Sequence, residues 1–339
     1  MDRSLIIFDM DGVLVDVSGS YREVTRKTVF EYLRSVIGAG SLSDGALTLH
    51  DVDRIKKTGG LNNDWDLSYA ILNAVLATCV DPRNDALARE FVSFSSEKRD
   101  EQVMDFAREA QKKIDTSELF AHIGSRPFAE LYFEYVRSGA RASPFLLNRG
   151  DVKSGNIVKR IFQELYLGKK LFEKIYGEVP LVHQGEGYVS RETLIPSRGH
   201  LETLSRAHAL SIATGRPGME AHYAIERFGI SSLFSAVVTE DDVLQAEASE
   251  KRPLRKPDPY SLLRCMEKSG FGVGDTVSYI GDMPDDMHAA RNAGVLPLGF
   301  VNVLNRSSED MSSEHCGLLV RSGAIRVFQR FDELVAYFM

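Results

Sequence analysis

Cysteine is scarce in this 339-residue chain, and its three copies, Cys79, Cys265 and Cys316, lie far apart with no C-x-x-C pair. That spacing excludes a disulfide framework and a thiolate zinc site, and it suits a reducing compartment. Basic charge is not in excess, because 41 lysines and arginines stand against 48 aspartates and glutamates, a net charge of −7. A general nucleic-acid binder would carry a basic face, so no nucleic-acid partner is expected. No apolar run reaches the ~20 residues that a bilayer crossing needs, so no membrane partner is expected either. The chain enters an apolar run at Leu5, which leaves no room for a signal peptide and makes the cytoplasm the expected location. Repeats and low-complexity tracts are also missing. What is present is ordinary for a folded protein, with 43% hydrophobic and 26% charged residues. The length exceeds what one compact core usually holds, so two domains are expected.

Short apolar runs mark the strands. Leu5 to Phe8 ends abruptly in Asp9 and reads as a buried parallel strand. Similar runs return only late, at 210–213, 236–238, 277–280 and 296–301, with Pro297 placing the last near an edge. Helical patterns at 217–228, 259–269 and 284–293 alternate with them. This alternation predicts an α/β fold built on a doubly wound, mainly parallel sheet. From 19 to 190 the periodicity is mainly helical, as in Ile157, Ile161, Leu165 and Leu171. The expected organisation is a core of 1–18 and 191–339 with a helical domain, 19–190, inserted after the first strand. Residues 245–255 are charged and lack an apolar stripe, so they read as a surface loop.

The strand ends carry the chemistry. In Phe8-Asp9-Met10-Asp11-Gly12, a buried strand runs straight into two carboxylates. That is costly unless they are solvated, paired or metal-bound, and ligands of doubly wound sheets bind beyond the carboxyl ends of the strands. The bland alternative is an Asp-rich turn. The second late strand ends in Thr214-Gly215-Arg216-Pro217, which offers a hydroxyl and an exposed N–H where an anion can sit. Lys256 stands before Pro257 and just ahead of a helix, so its backbone is expected to be extended. The fourth piece, Gly281-Asp282-Met283-Pro284-Asp285-Asp286, packs three acids into five residues, more than helix capping requires. Carboxylates gathered at one sheet edge need a cation, and an all-oxygen set suits Mg²⁺.

The order D-x-D-G-V-L-V-D, T-G-R, K-P and G-D-x-x-x-D resembles the haloacid dehalogenase superfamily. The resemblance is to its phosphoglycolate-phosphatase-like group, which carries a helical cap after the first strand on a Rossmann-like core. It implies that Asp9 is a nucleophile forming an aspartyl-phosphate, and that Asp11 protonates the leaving oxygen and then activates water. It implies that Thr214, Gly215 and Lys256 bind the transferring phosphoryl group. Asp9, Asp282 and the backbone carbonyl of Asp11 would hold Mg²⁺, with Asp286 behind them holding a metal water or Lys256. The implied reaction is hydrolysis of a small soluble phosphorylated metabolite. The rivals are a phosphomutase on the same scaffold and a catalytically silent binding or regulatory module.

The cap would select the substrate. Asn62, Asn63, Asp64 and Trp65 concentrate polar groups beside the chain's only tryptophan. They could bind a polyol, or they could be a turn and helix cap with Trp65 in the cap core. Arg22 could reach a second anionic group, against the plainer reading of an exposed helix arginine, and Arg216 could point into the site. His183, Gln184 and Glu186 read as a surface loop. The aromatic helix Phe162 to Tyr176 reads as cap core, with a homo-oligomer interface as the alternative.

Overall fold

Strand β1, Leu5–Phe8, is buried along its whole length. Four apolar side chains in extended alternation cover both faces, so this strand sits in the middle of a sheet. The fold is that of a computed structural model. It describes residues 4–39, 42–56, 58, 63–77, 126–139, 143, 146, 151–153, 155–272, 274–302 and 309–339. Two short strands follow in sequence, β2 (Val15–Asp16) and β3 (Thr193–Leu194), paired antiparallel with each other. The main sheet continues with β4 (Ala209–Ala213), β5 (Ala236–Val238), β6 (Val277–Gly281), β7 (Leu296–Phe300) and β8 (Arg326–Phe328).

Its order is β5-β4-β1-β6-β7-β8, and every neighbouring pair is parallel. The chain thus builds outward on one side of β1 and then crosses to the other. The carboxyl end of β1 lies at the point where the order reverses, which is where this architecture places ligands. Pro297 lies one strand inside the edge, and its carbonyl accepts from the Ile325 N–H at 3.0 Å. β8 was not foreseen as an element, nor was the β2–β3 pair.

By contact clustering the chain divides into two units, residues 1–17 with 192–339, and residues 18–191. The inserted unit contains α1 (Tyr21–Ser35), α2 (Leu49–Lys56), α3 (Asp64–Ala77), α4 (Phe128–Ser138) and α5 (Ile157–Tyr176). Aromatic side chains build its centre. The Tyr21 ring stacks on Tyr166 at 4.4 Å and on Phe162 at 5.8 Å, and Trp65 meets Phe162 edge-on at 6.0 Å. Phe162 and Tyr166 are therefore core residues of this unit. Glu164, fully buried, accepts from the backbone N–H groups of Leu181, Val182 and His183 and from Arg160 Nε at 3.0 Å. Those bonds satisfy a carboxylate that could not otherwise be buried. They tie the loop after α5 onto the helix.

In the core unit, α6 (Arg198–Ala207) and α7 (Gly218–Arg227) flank β4, α8 (Glu240–Glu250) follows β5, and α9 (Tyr260–Ser269) precedes β6. Then come α10 (Pro284–Ala293), α11 (Glu309–Arg321) and α12 (Phe331–Phe338). Alternation along β1 decides which helix covers which face. Leu5 and Ile7 join Leu262, Cys265 and Met266 of α9, while the Phe8 ring stacks at 6.2 Å on Phe331 of α12. The loop expected at 245–255 is corrected over its first half, where α8 runs to Glu250. A charged helix without an apolar stripe is held here by its cap. Asp242 accepts from the Thr239 N–H at 2.9 Å and from Lys268 at 2.8 Å.

Candidate active site

Asp9 is the first residue beyond β1, and its N–H donates to the Ile280 carbonyl at 2.8 Å. Ladder bonding to the neighbouring strand therefore aims the carboxylate from the strand end. Asp282 follows the last residue of β6, the strand beside β1. One oxygen each of Asp9, Asp282 and Asp286 lie within 4.8 Å of one another. Sequence reasoning placed Asp286 behind this group, and the structure makes it the third carboxylate of the cluster. Its oxygens are also engaged elsewhere. Oδ1 accepts from Tyr279 Oη at 2.9 Å and lies 2.9 Å from Lys256 Nζ, and Oδ2 accepts from the Met283 N–H at 3.0 Å.

Lys256 is the cation of the cluster. Its ammonium donates to Asp9 Oδ1 at 2.9 Å, to the Ala213 carbonyl at 3.3 Å and to Tyr279 Oη. The lysine sits in a turn, and its bond to Pro257 is cis. Burial pushes the Asp9 carboxyl up to about 7; Lys256 pulls it down, while Asp286 and Asp11 push it further up. Burial would lower the Lys256 ammonium, but Asp286 and Asp9 together hold it above the ordinary lysine range. The Tyr279 hydroxyl, buried beside Asp286 and Asp9, is held protonated well above the usual tyrosine range. Three carboxylates and one lysine leave the cluster short of positive charge. An all-oxygen donor set with this deficit fits Mg²⁺.

Two glycines make the crowding feasible. Gly12 has φ +77°, and a Cβ there would stand 2.2 Å from Asp282 Oδ2; one on Gly281 would stand 2.3 Å from the Asp286 Cβ. Gly12→Ala therefore combines a left-handed backbone with a collision against a carboxylate of the cluster. We expect a loss of about 1–3 kcal/mol together with weakened divalent-ion binding. Thermal melting with and without Mg²⁺ measures both. A variant that melts and binds Mg²⁺ like the parent would show that Asp282 has room to spare.

Thr214, beyond β4, donates its N–H to the Val238 carbonyl at 2.9 Å, and its hydroxyl accepts from the Arg216 N–H at 3.1 Å. The hydroxyl hydrogen remains to donate. Gly215 is exposed, with nothing within 4 Å of where its Cβ would stand, so its backbone is open to a ligand.

Arg216 turns toward the site, but its donors go to the protein's own carboxylates. Nε and Nη2 reach Asp11 Oδ1 at 2.7 and 2.6 Å, and Nη1 and Nη2 reach the two Glu192 oxygens at 3.1 Å each. The Arg216 and Glu192 side chains are 1% and 0% exposed, and Asp11 is 30% exposed. Removing Arg216 alone would take the guanidinium fork from a buried carboxylate, at about 3–5 kcal/mol. Glu192, Tyr279 and His315 were missed by sequence reasoning. His315 Nε2 donates to the Asp282 carbonyl at 2.6 Å.

The residues expected to select substrate form their own cluster in the inserted unit. Arg22 donates to Asp53 at 2.7 Å and to Asp64 at 3.1 Å, and Lys56 donates to Asp64 at 2.7 Å. Arg22 is thus an ion-paired, half-buried side chain, not an exposed helix arginine. The Asn63 amide points to Asp66 at 3.4 Å. Trp65 is buried, with the Lys159 ammonium 4.8 Å over its ring. Its packed reading describes its place, and the polyol-stacking reading is corrected. Asn62 lies outside the described residues.

Residues 159–299 match the haloacid dehalogenase-like hydrolases, a segment that carries Thr214, Lys256, Asp282 and Asp286. The match covers less than half of the chain. The D-x-D motif at Asp9 precedes the matched segment and joins the site through the pairing of β1 with β4 and β6. Imidazoleglycerol-phosphate dehydratase of Phytophthora nicotianae is 23% identical over 296 residues, 87% of this chain and 42% of that protein. Phosphoglycolate phosphatase of Vibrio cholerae is 27% identical over 114 residues, 34% of this chain and 46% of that protein. The chain spans less than half the length of these curated relatives. An X-ray structure from a structural genomics consortium, with no function in its name, superposes with a TM-score of 0.62 at 22% identity. It covers 99% of this chain and 98% of its own, and the likeness is one of fold. Among the described residues, no helix is long and apolar enough to cross a membrane.

Proposed function

We propose that the protein is a Mg²⁺-dependent phosphatase that hydrolyses a small soluble phosphate monoester through an aspartyl-phosphate on Asp9. The observation that carries this reading is the contact between Asp9 and Lys256 at 2.9 Å inside a three-carboxylate cluster at the sheet's switch point. A phosphate ester repels an anionic nucleophile, so the attack needs positive charge on both the nucleophile and the phosphoryl oxygens. Lys256 supplies it beside Asp9. Asp9, Asp282 and Asp286 would hold Mg²⁺, directly or through a bound water for Asp286, and the backbone carbonyl of Asp11 would complete the set. When bound, the ion would screen phosphoryl charge and align the ester.

Thr214 and the Gly215 N–H would grip the phosphoryl oxygens. Asp11, the more exposed carboxyl, would give its proton to the departing alcohol and then take one from water. A covalent step divides one difficult displacement into two easier ones. The names of the relatives, phosphoglycolate phosphatase and imidazoleglycerol-phosphate dehydratase, also concern small phosphate esters. A cytoplasmic metabolite is the substrate this reading entails.

Phosphate release from a panel of sugar, polyol and organic-acid monoesters tests the proposal. Release should require Mg²⁺ and stop with EDTA. Free phosphate without sugar-phosphate isomers separates hydrolysis from a mutase, and silence across the panel would favour a binding module. Mg²⁺ affinity should also climb with pH. A carboxyl raised to about 7 in the fold contributes stability at low pH that is lost as pH rises through that value. Bound Mg²⁺ competes with the same proton. The thermal shift on adding Mg²⁺ should therefore be larger at pH 8 than at pH 5.5, and Asp9→Asn should flatten the difference. Equal shifts at both pH values in the parent protein would remove Asp9 from the ion's ligands.

A further inference from the structure

Asp11 can move a proton productively only if its carboxyl is held at one angle. Asp11 lies on a glycine-containing turn, and its side chain is 30% exposed. The structure supplies a brace. Both Arg216 contacts to Asp11 fall on Oδ1, and among the described residues Oδ2 accepts no hydrogen bond. The guanidinium is in turn fixed in plane by a two-point fork on Glu192, with both contacts at 3.1 Å. A planar fork between two carboxylates removes the rotational freedom that a lysine or a single contact would leave. Because Glu192 balances its charge, the guanidinium acts on Asp11 as an oriented donor and not as an isolated cation.

We propose that Arg216, braced by Glu192, is a positioning residue that clamps Oδ1 of Asp11 and so presents Oδ2 to the leaving-group oxygen. Resting on the phosphatase reading, the step is balanced. The Asp9 carboxylate forms a bond to phosphorus, the ester P–O bond breaks, and its electron pair takes the proton from Oδ2. Asp11 is left as a carboxylate, and the neutral alcohol departs. Glu192 acts on Asp11 through Arg216. It lies immediately before β3, on the strand that returns from the inserted unit.

The test compares kcat/KM for two esters. This ratio reports the steps through leaving-group departure and is blind to later hydrolysis of the aspartyl-phosphate. The 4-nitrophenolate of 4-nitrophenyl phosphate leaves without a proton, whereas the alkoxide of glycerol phosphate needs one. Arg216→Met combined with Glu192→Met removes the clamp without orphaning a buried charge. In this variant the loss on glycerol phosphate should exceed that on the aryl ester by about tenfold or more, a fraction of the roughly 10²–10⁴ that a general acid supplies. In an Asp11→Asn background the same double change should bring no further differential loss. Glu192→Gln, which keeps shape and loosens the fork, should show the same bias at about threefold.

Equal losses on both esters, or a shared rise in KM with kcat intact, would overturn the clamp and make Arg216 a structural or phosphate-gripping residue. If the double variant fails to fold, Glu192→Gln decides, and no bias there overturns the proposal. If the parent protein hydrolyses neither these two esters nor any monoester of the panel, the phosphatase reading itself fails and the clamp falls with it; an alkyl ester of the panel that it does accept takes the place of glycerol phosphate. Hydrolysis by the parent with unbiased losses rejects the clamp alone.

Discussion

Asp9→Asn should abolish turnover, with kcat falling by roughly four orders of magnitude or more on every ester the parent accepts. The amide has nearly the same volume, so the fold should survive. It can still accept from Lys256 where Asp9 Oδ1 does at 2.9 Å. It lacks the anionic oxygen that would bond to phosphorus. Its loss should be shared by good and poor leaving groups alike, because the missing bond is needed before either can depart. That pattern separates Asp9 from Asp11, whose removal should weigh most on poor leaving groups. Rapid quench with radiolabelled ester should find label on the parent protein and none on the variant. An Asp9→Asn protein with turnover within tenfold of the parent would end the covalent scheme.

Lys256→Met should be the second largest loss, roughly two to four orders of magnitude in kcat/KM. Two separate effects add. The phosphoryl group loses a fixed positive charge, and the nucleophile loses the partner that draws its carboxyl down toward the ionised form. With that pull removed, burial and the charges of Asp286 and Asp11 hold the Asp9 proton above about 7. The acid limb of the kcat/KM profile should therefore move to higher pH, and high Mg²⁺ should recover part of the rate. Asp286 also loses a partner 2.9 Å away, so the metal-free variant should melt earlier than the parent. An unmoved acid limb with a small loss of rate would assign Lys256 to structure alone.

Much of the fold was legible because the central strands β1, β4 and β6 are largely apolar runs buried on both faces and ended by a polar residue. Leu5–Phe8 before Asp9 and Val277–Gly281 before Asp282 show the signal at its clearest. β8 escaped because Arg326–Phe328 has one buried residue in three and lies at the edge. β2 and β3 escaped because two-residue strands carry no period. α8 could have been found by its start, where Thr239 and Asp242 stand at capping spacing, although its body lacks an apolar stripe.

In the site, Asp9, Asp11, Thr214, Lys256, Asp282 and Asp286 were visible as carboxylates, a hydroxyl and a cation at strand ends. Their partners were not. Arg216 meets Asp11 across 205 positions, and Lys256 meets Tyr279 across 23. Tyr279 read as one more apolar residue of a strand, and nothing in the sequence singled out Glu192. Only folding brings such pairs together, and local spacing carries no trace of them.

The two-residue ladder in which Asp16 faces Thr193 sits where the chain leaves the core and where it returns. A long excursion that is sewn shut at its own base asks nothing of the sheet it interrupts. The closure entropy of its 174 residues is confined to the excursion and is paid once, at the seam. A domain fastened in this way can lengthen, shrink or be exchanged through evolution while the strands that carry the carboxylates keep their register. Diversity in what is recognised and constancy in what is done to it can then be inherited separately within one continuous polypeptide.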